Sequence, residues 1–571
     1  MPSEAIMNVS NAQVARLLRD YSAMLVVSGA DRFKAKAYRV AAETIESMQT
    51  DLATFISSGH DLQELPGVGK AISSVIREIL QTGQMPQLEN LSSHLDPVLV
   101  ELASRPGLDS KRVATVYKKL QIGSLAELQE RSESGVILEK FGSRMDFHIR
   151  QGLANRPRML IKRADQTAAP IEDFIRSIVG LTRVELTGSL RRRQETIGDL
   201  NFLVTGDSAR NTFKHFQSYA GVESSEQQGP GRIVCRLTSG TNVTLNWTRP
   251  EAWGLNWILT TGSEGHLGDL KRAGDEMEIE LTERGLSRRH VKIADERSVY
   301  VALKMTFIEP ELREGRGEVQ AALESRLPDL VRLADIKGDL HMHTTASDGV
   351  NTLAEMAASA QEKGYKYVAI TDHSRSLKIA NGLSEDRLRE HILAIDALNS
   401  QLKGFTVLKS AEVDILEHGN LDYSDELLQE LDLTVCSVHS HFTLSKEQNT
   451  ERILRAMDNP YFNILGHPTG RLLLKRPGYE IDIDRILTHA KQNGCFLEIN
   501  SNPNRLDLSG EHAKLAKDLG LKIAINTDAH SIRELDFMPF GINQARRAWL
   551  ARDDVLNALP VARLKRALRR S

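Results

Sequence analysis

Histidines and carboxylates repeatedly follow short apolar runs in the last third of the chain. The stretch GDLHMHTTASDG places two histidines two positions apart, so both imidazoles leave the same face of a predicted strand. Later apolar runs finish in TDH, AEVD, HSH, LGHP and NTDAH. Imidazole nitrogens and carboxylate oxygens without thiolates are ligands that suit Zn, Mn or Fe. The pattern therefore predicts a metal centre, of the kind that supports displacement at phosphorus.

The candidate ligands share one position, at or just after the end of a predicted strand. They are His341, His343, Asp348, His373, Glu412, His439, His467, Asp528 and His530. One tetrahedral site uses about four ligands, so the set indicates a cluster of two or three divalent ions. A single histidine at a strand end is usually structural, but its repetition along one domain favours metal binding. We therefore expect these residues to be both metal ligands and catalytic residues.

Other polar residues near these motifs are weaker candidates. Asp414 and His441 are expected to support the ligands rather than to bind metal themselves. Lys409, Arg471 and Arg505 are candidates for phosphate contacts. For each of these three, a solvated surface charge is an equally good interpretation.

The strands that carry these residues alternate with helical patterns from residue 336 onward. The apolar runs include YVAIT, FTVLKS, LTVCSVHS, CFLEINS and KIAINTDAH. This alternation is typical of a parallel β/α barrel or a doubly wound sheet. In such folds the carboxyl ends of the strands form the active-site mouth, so the ligands are expected to converge there.

The motifs HMHTTASDG, AITDHS, AEVDIL, SVHSHF, LGHP and NTDAH resemble the PHP (polymerase and histidinol phosphatase) metallophosphoesterase domain over about residues 333–571. The resemblance implies a distorted (β/α)7 barrel with a trinuclear metal site. It assigns His341, His343, Glu412 and Asp528 to one ion, Asp348, His373 and His530 to a second, and Glu412, His439 and His467 to a third. Asp348 stands where some relatives have histidine, which would tune the second ion without removing it.

A second motif, TGSLRRRQETIGDLNFLVTG at 187–206, resembles the palm of family X DNA polymerases. In that family two aspartates of a GD-[IL]-D motif and a third on a later strand hold two metal ions. Here Asp199 is present, but Asn201 and Thr244 replace the other two. Neutral oxygens cannot offset the charge of two Mg²⁺ ions on a triphosphate, so Mg²⁺ binding at the palm is doubtful and polymerase activity is expected to be negligible. Gly188, Ser189, Arg191 and Arg192 remain as candidate contacts to DNA phosphate.

The first part of the chain carries a candidate backbone-binding turn. ELPGVGKAISSVIREIL matches a helix–hairpin–helix motif, with Gly67, Gly69 and Lys70 at the turn. Glycine allows close approach of a phosphate, and the N–H groups that begin the next helix can bind it. A looser copy follows, with Gly107 and Lys111. An isolated PGVG is an ordinary tight turn, but two copies with basic helices favour sequence-independent binding of DNA.

Composition describes an ordinary globular protein. The chain has 571 residues, 41% hydrophobic and 26% charged, with a formal net charge of −3. We find no apolar run of about 18 residues and no secretory signal, so no membrane association is expected. Three scattered cysteines form no disulfide framework, and a cytoplasmic location fits best.

The order of motifs, with the helical module first, the palm next and the PHP domain last, resembles the bacterial and archaeal PolX members of family X across essentially the whole chain. The expected fold is multidomain: an all-α helix–hairpin–helix N-terminal region, an α+β nucleotidyltransferase-like palm, and a C-terminal distorted (β/α)7 PHP barrel. The expected bounds are 1–85 and 86–158 for two helical domains, 159–312 for the degenerate palm and thumb, 313–332 for a linker, and 333–571 for the barrel.

The leading hypothesis is a metal-dependent DNA phosphodiesterase in DNA repair, acting as a 3′–5′ exonuclease and also considered as an abasic-site endonuclease. Its expected partner is gapped, nicked or abasic DNA, held by the backbone, and the sequence identifies no protein partner. Three alternatives stay open. They are a working repair polymerase with a proofreading nuclease, a DNA-binding scaffold with a vestigial metal site, and a small-molecule phosphatase.

Overall fold

The computed structural model describes residues 9–46, 48, 52–57, 59–105, 108–153, 158–283, 285–287 and 295–569. The chain divides into two compact units, residues 1–325 with 474–476, and residues 326–473 with 477–571. Within the described residues, no helix combines the length and the apolar character that crossing a bilayer requires.

The first unit begins with a run of short helices. They are α1 (Asn11–Val27), α2 (Arg32–Glu46), α3 (Leu52–Ser57), α4 (Lys70–Thr82), α5 (Pro86–Ser93), α6 (Pro97–Ser104), α7 (Ser110–Leu120), α8 (Leu125–Glu133), α9 (Val136–Phe141) and α10 (Ser143–Leu153). Their apolar faces form two clusters, one around α1, α2 and α4 and another around α6, α7 and α8. The second cluster also includes Met24 and Val27 of α1, so the bounds expected for two helical domains stay a prediction.

A mixed α+β layer completes the first unit. Its elements are β1 (Met159–Leu160), α11 (Ile161–Arg176), β2 (Leu181–Thr187), α12 (Gly188–Arg191), β3 (Thr196–Ile197), β4 (Asp199–Gly206), α13 (Ala209–Phe216), β5 (Val222–Gln227), β6 (Arg232–Leu237), β7 (Asn242–Trp247), α14 (Trp253–Thr261), α15 (Glu264–Glu276), β8 (Leu281–Thr282), β9 (Gly285–Leu286), α16 (Glu296–Ala302) and α17 (Glu318–Leu323). The main sheet has the order β2-β4-β7-β6-β5, and only β4 and β7 run parallel. Asn201 on β4 is the register partner of Thr244 on β7.

The second unit is a parallel barrel with helices around it. Its elements are β10 (Gly338–Asp339), α18 (Leu353–Glu362), β11 (Tyr367–Ile370), α19 (Glu385–Asn399), β12 (Thr406–Asp414), α20 (Asp425–Leu428), β13 (Leu433–Ser437), α21 (Lys446–Asp458), β14 (Ile464–Leu465), α22 (Ile483–Asn493), β15 (Phe496–Asn500), α23 (Gly510–Asp518), β16 (Ile523–Asn526), α24 (Met538–Arg547) and α25 (Val561–Leu568). The strands pair in sequence order from β10 to β16, and every pair is parallel. The expected fold class, with a helical front, an α+β middle and a seven-stranded barrel, is confirmed.

The two ends of the seven-stranded sheet meet. A parallel bridge joins Met342 to Ala529, just beyond β10 and β16. The backbone N–H of Leu340 also donates to the side chain of Asn526 at 3.1 Å, across 186 residues of chain. These contacts close the sheet into a barrel and bring its first and last strands side by side.

On β11, β12 and β13, successive side chains alternate between two apolar environments. On β12, Val407 and Ala411 belong to the cluster under the surrounding helices, whereas Leu408 belongs to a second cluster closed by α25. Because side chains alternate along a strand with a period of two, the positions in register with Leu408 are those of Ser410 and Glu412. On these three strands the inward row therefore begins apolar and ends polar towards the carboxyl end of the strand.

Candidate metal centre

Inward-facing rows of the barrel deliver the predicted ligands to one end. On β11 the row that starts with the apolar Tyr367 and Ala369 continues to His373, and on β13 the row of Leu433 and Val435 continues to His439. The chain passes the last strand residue before it reaches each ligand, so the side chains stand at the mouth. The structure brings all nine predicted ligands into this mouth, in contacts described below.

The first ligand group lies where β16 meets β10. His341, His343 and Asp528 offer ligand atoms that all lie within 4.8 Å of one another. Nε2 of His341 lies 3.5 Å from the Asp528 carboxylate, and Nε2 of His343 lies 3.2 Å from it. Glu412 adds a carboxylate oxygen 3.5 Å from His341 Nε2. The residues that the PHP resemblance assigns to one ion are thus gathered here.

The second group adds the exposed side of the mouth. His343, Asp348, His373 and His530 offer ligand atoms within 4.8 Å of one another. Oδ1 of Asp348 lies 3.6 Å from Nε2 of His373 and 3.5 Å from Nε2 of His530. His343 reaches both groups, one through each ring nitrogen, because Nδ1 lies 4.0 Å from Asp348.

The third group is built around Glu412. His373, Glu412 and His439 offer ligand atoms within 4.8 Å of one another. Nε2 of His439 and Nε2 of His467 lie 3.3 and 2.9 Å from Oε1 of Glu412. Glu412 therefore touches members of all three groups, which is the position of a bridging carboxylate. Which ion each residue binds stays a prediction.

Several buried polar atoms of this site have no hydrogen-bond partner, and they indicate whether the site fits metal ions. Within the described part of the chain, such atoms include Nε2 of His341, both ring nitrogens of His343, Nδ1 of His373 and Oε2 of Glu412. Nδ1 of His373 lies 2.8 Å from Oε2 of Glu412 but not in hydrogen-bond geometry. Leaving so many buried donors and acceptors unsatisfied is costly in a protein interior. Their convergence fits a site that metal ions complete.

Two ligands carry the charge that suits cation binding, whereas, against the effect of burial, Glu412 and Asp414 raise the pKa of His439 to about 10, so a metal there would displace a proton. Burial opposes ionisation of Glu412, but the neighbouring imidazoles, led by His373 and His439, hold its pKa well below the usual range. Burial, reinforced by His530 and His373, lowers the pKa of His343 to about 4. Glu412 is therefore an anion and His343 a neutral imidazole at neutral pH, and these are the forms that bind metals.

Sequence inspection missed Glu498 on β15, a fully buried carboxylate beneath the mouth. Its Oε1 accepts from Nδ1 of His341 at 2.8 Å, and its Oε2 accepts from the backbone N–H of His467 at 2.8 Å. Asp372, which the TDH motif already showed at a strand end, is not among the predicted ligands and accepts from the backbone and hydroxyl of Thr344 in the loop before Asp348. The available signal was a lone carboxylate inside an apolar strand, FLEIN, where an unpaired charge is costly.

The weaker candidates separate in the structure. Asp414 lies 2.5 Å from Nδ1 of His439 and so supports that ligand. His441 is half-exposed and lies 4.0 Å from Glu417. Nε of Arg505 lies 3.4 Å from Asp528 at the mouth.

The other two basic candidates have partners elsewhere. Arg471 binds the backbone carbonyls of Arg505 and Leu506, and thus braces the loop that carries Arg505. Lys409 lies 3.5 Å from Asp396 on α19. Phosphate contacts by Lys409, Arg471 and Arg505 stay predictions, of which Arg505 lies beside a ligand.

The palm positions that should carry three carboxylates are adjacent in the sheet. Asp199 and Asn201 lie two residues apart on β4, and Thr244 is buried opposite Asn201. Gly188 has a φ of +66°, and a Cβ built there would lie 2.9 Å from the Asn201 side-chain amide. The Gly-Ser turn therefore packs directly on Asn201.

The palm arginines predicted to contact DNA form ion pairs inside the fold. Arg191 lies 2.6 Å from the buried Glu296 and stacks over Trp257, with 3.8 Å between the guanidinium carbon and the ring centroid. Arg192 lies 2.9 Å from Glu314. Contacts of Gly188, Ser189, Arg191 and Arg192 with DNA stay predictions, and the two arginines would have to share their charge with these carboxylates.

The first hairpin has the backbone that a tight turn needs. Gly67 has a φ of +79°, and a Cβ there would lie 2.5 Å from Cγ1 of Val40 on α2. Gly69 caps the N-terminus of α4 with open space around it, and Lys70 begins that helix. Lys111 lies exposed in the first turn of α7. Gly107 lies outside the described residues.

Models of three protein families match the chain. They are the helix-hairpin-helix domain over residues 9–85, the DNA polymerase beta thumb over residues 256–314, and the PHP domain over residues 339–502. PHP domains are metal-dependent, in agreement with the clustered ligands of the barrel. The helix-hairpin-helix and thumb matches imply that the chain binds DNA.

Curated proteins resemble the chain in two ways. The DNA polymerase/3′-5′ exonuclease PolX of Bacillus subtilis (strain 168) is 34% identical over 570 residues, which is 98% of this chain and 99% of that protein. A probable phosphatase of Thermoanaerobacter sp. (strain X514) is 33% identical over 242 residues, 40% of this chain and 94% of that protein. A probable phosphatase of Syntrophotalea carbinolica is 27% identical over 229 residues. The relative that matches over 98% of the chain is therefore named as a polymerase and exonuclease, whereas the two that match a smaller part of the chain are named as probable phosphatases.

Proposed function

Since the chain belongs to the PolX family, we propose that its barrel is the active site of a DNA phosphodiesterase that removes nucleotides in the 3′–5′ direction. The chain is an enzyme of the phosphoesterase and nuclease class. The observation that carries the proposal is the convergence of nine histidine and carboxylate side chains, several with unsatisfied buried atoms, at the mouth of a PHP barrel.

The ligand groups would hold two or three divalent ions, which we propose to be Mn, Zn or Fe. Such a cluster, when bound, supplies an activated water and offsets the charge that develops at phosphorus. The protein contributes the positions of the donors, since Glu412 touches all three groups and Glu498 orients His341. Arg505, beside Asp528, is suited to attract the scissile phosphate.

We propose that the palm has no polymerase activity. Only Asp199 of the three required carboxylates is present, and Asn201 and Thr244 stand opposite each other on β4 and β7. Restoring charge balance around two Mg²⁺ ions needs anionic oxygen that neither residue supplies. The loss of bridging carboxylates should lower the rate by several orders of magnitude.

We propose that DNA reaches the enzyme as gapped, nicked or abasic duplex in the course of repair. The helix–hairpin–helix turn at Gly67 and Gly69 would grip the sugar–phosphate backbone without reading sequence. Cleavage at abasic sites is the second activity we propose for the same centre, because a phosphodiester beside a missing base presents the same reacting phosphate.

The experiment is digestion of a 5′-labelled primer–template with Mn²⁺, using the full chain and its H341A/H343A variant. The expected result is stepwise shortening of the primer by the wild type and loss of at least about a thousandfold in the variant, because two ligands leave the first group. E417Q, a change beside the half-exposed His441, is the matched control and should digest like wild type. Unchanged digestion by H341A/H343A would reject the barrel as the site.

A working polymerase with a proofreading nuclease is the second candidate, because the full-length relative is named as both polymerase and exonuclease. Adding the four dNTPs and Mg²⁺ to the same primer–template separates the two candidates. Template-dependent extension would establish this second function, whereas shortening alone supports a nuclease. A parallel panel of phosphomonoesters tests the phosphatase activity that partial relatives are named for.

A further inference from the structure

Three loops that carry metal ligands also expose an apolar side chain. Val350 follows Asp348 and is 74% exposed, Ile379 follows His373 and is 95% exposed, and Ile532 follows His530 and is 38% exposed. We call Val350, Ile379 and Ile532 the apolar rim. Each of these residues lies within six positions of a predicted ligand.

Single exposed apolar residues are common and carry no meaning by themselves. Among the described residues of the barrel unit, the other large apolar side chains that are exposed to this degree are Leu333, Leu393 and Leu515. Leu393 and Leu515 lie on the surrounding helices α19 and α23, and Leu333 lies before β10. Half of the exposed apolar residues of this unit are therefore concentrated on ligand loops.

The rim loops are neighbours and are joined to one another. The backbone N–H of Val350 donates to the carbonyl of His530 at 2.7 Å. The backbone N–H of Ile532 donates to the side chain of Asn351 at 3.1 Å. Asn381, two residues after Ile379, donates to the carbonyl of Ala346 at 3.2 Å. The loops that follow β16, β10 and β11, which carry the three rim residues, are therefore hydrogen-bonded to one another.

The loop that presents Ile379 is anchored on both sides. Before it, the backbone N–H of Ser376 donates to the buried Asp422 at 2.7 Å. After it, the hydroxyl of Tyr423 donates to the carbonyl of Leu383 at 2.7 Å. Because both ends are fixed, the isoleucine is held out in solvent by the fold rather than left there by a loose segment.

Positive side chains flank the rim. Lys378 precedes Ile379 and Arg533 follows Ile532, and both are exposed. Arg505 lies on the loop after β15, next in order to the loop of Ile532. A ligand that suits this mouth combines phosphate groups with a flat apolar face, and that combination describes a nucleotide within a polynucleotide strand.

We propose that the apolar rim receives the unpaired 3′-terminal nucleobase of a DNA strand whose last phosphodiester lies at the metal centre. The proposal rests on the nuclease function proposed above and names the part of the substrate that the site selects. Apolar side chains such as isoleucine insert against bases and separate them from their neighbours. The rim would thus hold the last base apart from the duplex and distinguish a DNA end from a small phosphate ester.

The test compares two oligonucleotides with the same final phosphodiester. One ends in thymidine and the other in a tetrahydrofuran analogue that lacks the base. The wild type is expected to favour the thymidine end in kcat/KM by about tenfold, the ratio that corresponds to a base contact of ordinary strength. I379S/V350S is expected to reduce that ratio to near one.

The matched control is L393S/L515S, which removes two exposed apolar residues from the outer helices. It should keep the wild-type ratio. A wild-type ratio of one, or an unchanged ratio in I379S/V350S, would overturn the proposal.

A second measurement separates the rim from the chemistry. An oligonucleotide with 2-aminopurine at its 3′ end is added to full-length protein in EDTA, where no hydrolysis occurs. Its fluorescence is expected to change with the wild type and with L393S/L515S, and not with I379S/V350S. If neither oligonucleotide is hydrolysed with metal, the proposed nuclease function fails, while this signal still decides whether the rim binds a base.

Discussion

Nδ1 of His341 lies 2.8 Å from Oε1 of Glu498, and this contact fixes which nitrogen of His341 can bind a metal. A carboxylate accepts only from a protonated nitrogen, so the proton of a neutral imidazole stays on Nδ1 and Nε2 keeps its lone pair. Nε2 is the atom that faces Glu412 and Asp528. The same carboxylate accepts from the backbone N–H of His467, so Glu498 positions two ligands at once.

Glu498→Gln is therefore expected to weaken metal binding although Glu498 is not itself a predicted ligand. The glutamine side chain has only one oxygen, so it cannot accept the hydrogen bonds of both His341 and His467. The substitution also removes a negative charge beneath the site. The expected loss of Mn²⁺ or Zn²⁺ affinity is about ten- to a hundredfold. Competition with a chromophoric chelator measures it, and the exposed Glu426→Gln serves as the control. Equal affinities for the two variants would contradict the orienting role.

The two glycines of the first hairpin are expected to respond differently to alanine. In Gly67→Ala the new methyl group would clash with Val40, and the φ of +79° is unfavourable for alanine. The substitution should therefore destabilise the helical module by about 1–3 kcal/mol. Gly69→Ala meets open space and should leave stability nearly unchanged, but its methyl group would stand where a phosphate approaches α4. Hydrogen exchange of α4 measures the first effect, and fluorescence anisotropy with duplex DNA measures the second. Wild-type DNA affinity in Gly69→Ala would exclude a phosphate contact at this turn.

Glu296→Gln is expected to destabilise the palm. Glu296 lies 2.5 Å from Arg313, which is fully buried, and 2.6 Å from Arg191. Removing one partner of a buried ion pair leaves the other charge uncompensated and costs about 3–5 kcal/mol. Three of the four tryptophans, at 247, 253 and 257, lie in the palm, so urea unfolding followed by tryptophan fluorescence reports this module. The exposed Glu226→Gln is the control.

The difference in stability between the wild type and Glu296→Gln should decrease as the pH falls. Burial opposes ionisation of Glu296, but hydrogen bonds and charge from Arg191 and Arg313 lower its pKa below the usual value. A pKa that is lower in the folded state contributes stability above the unfolded pKa, and that contribution is lost as pH falls through the folded pKa. The difference in the free energy of unfolding between wild type and variant should thus have its full value at pH 7 and decrease below about pH 4. A gap that widens on acidification would contradict this account.

Restoring two carboxylates in the palm is expected to create a metal site there. Asn201→Asp with Thr244→Asp places two anions opposite each other in the register of β4 and β7, near Asp199. In the H341A/H343A background, Mn²⁺ titration followed by electron paramagnetic resonance should show palm binding only in the restored variant. The same number of bound Mn²⁺ ions with and without the two aspartates would contradict the expected site at Asn201 and Thr244.

The ligands His373, Glu412 and His439 could be placed from sequence because β11, β12 and β13 keep a period of two. Once Leu408 faces inward, Glu412 must face inward as well, and the parallel order of strands brings such rows to one mouth. Glu498 escaped notice because a single carboxylate within an apolar run carries no spacing signal. Its role depends on His341, which follows β10 and lies 157 residues earlier in the chain, so no local pattern links the two residues.

In the palm, the substitutions could be predicted from sequence but the ion pairs could not. The substitutions at Asn201 and Thr244 are visible in sequence, and their adjacency follows once β4 and β7 pair in register. The ion pair of Arg191 with Glu296 joins residues 105 positions apart and depends on how α16 packs beside α12. The sequence therefore predicts which arginines are candidates for DNA contacts. It does not predict which of these arginines form an ion pair with a carboxylate in the folded protein.

The closure of the barrel between Met342 and Ala529 sets an order of events during synthesis. His341 and His343 leave the ribosome long before Asp528, so the growing chain exposes two imidazoles without the carboxylate that completes their group. The ion-binding group is assembled only when the last strand has been translated and has taken its place beside the first. A message that stops between residue 476 and this strand encodes every residue of the first compact unit but lacks Asp528 and His530 of the predicted ligand set.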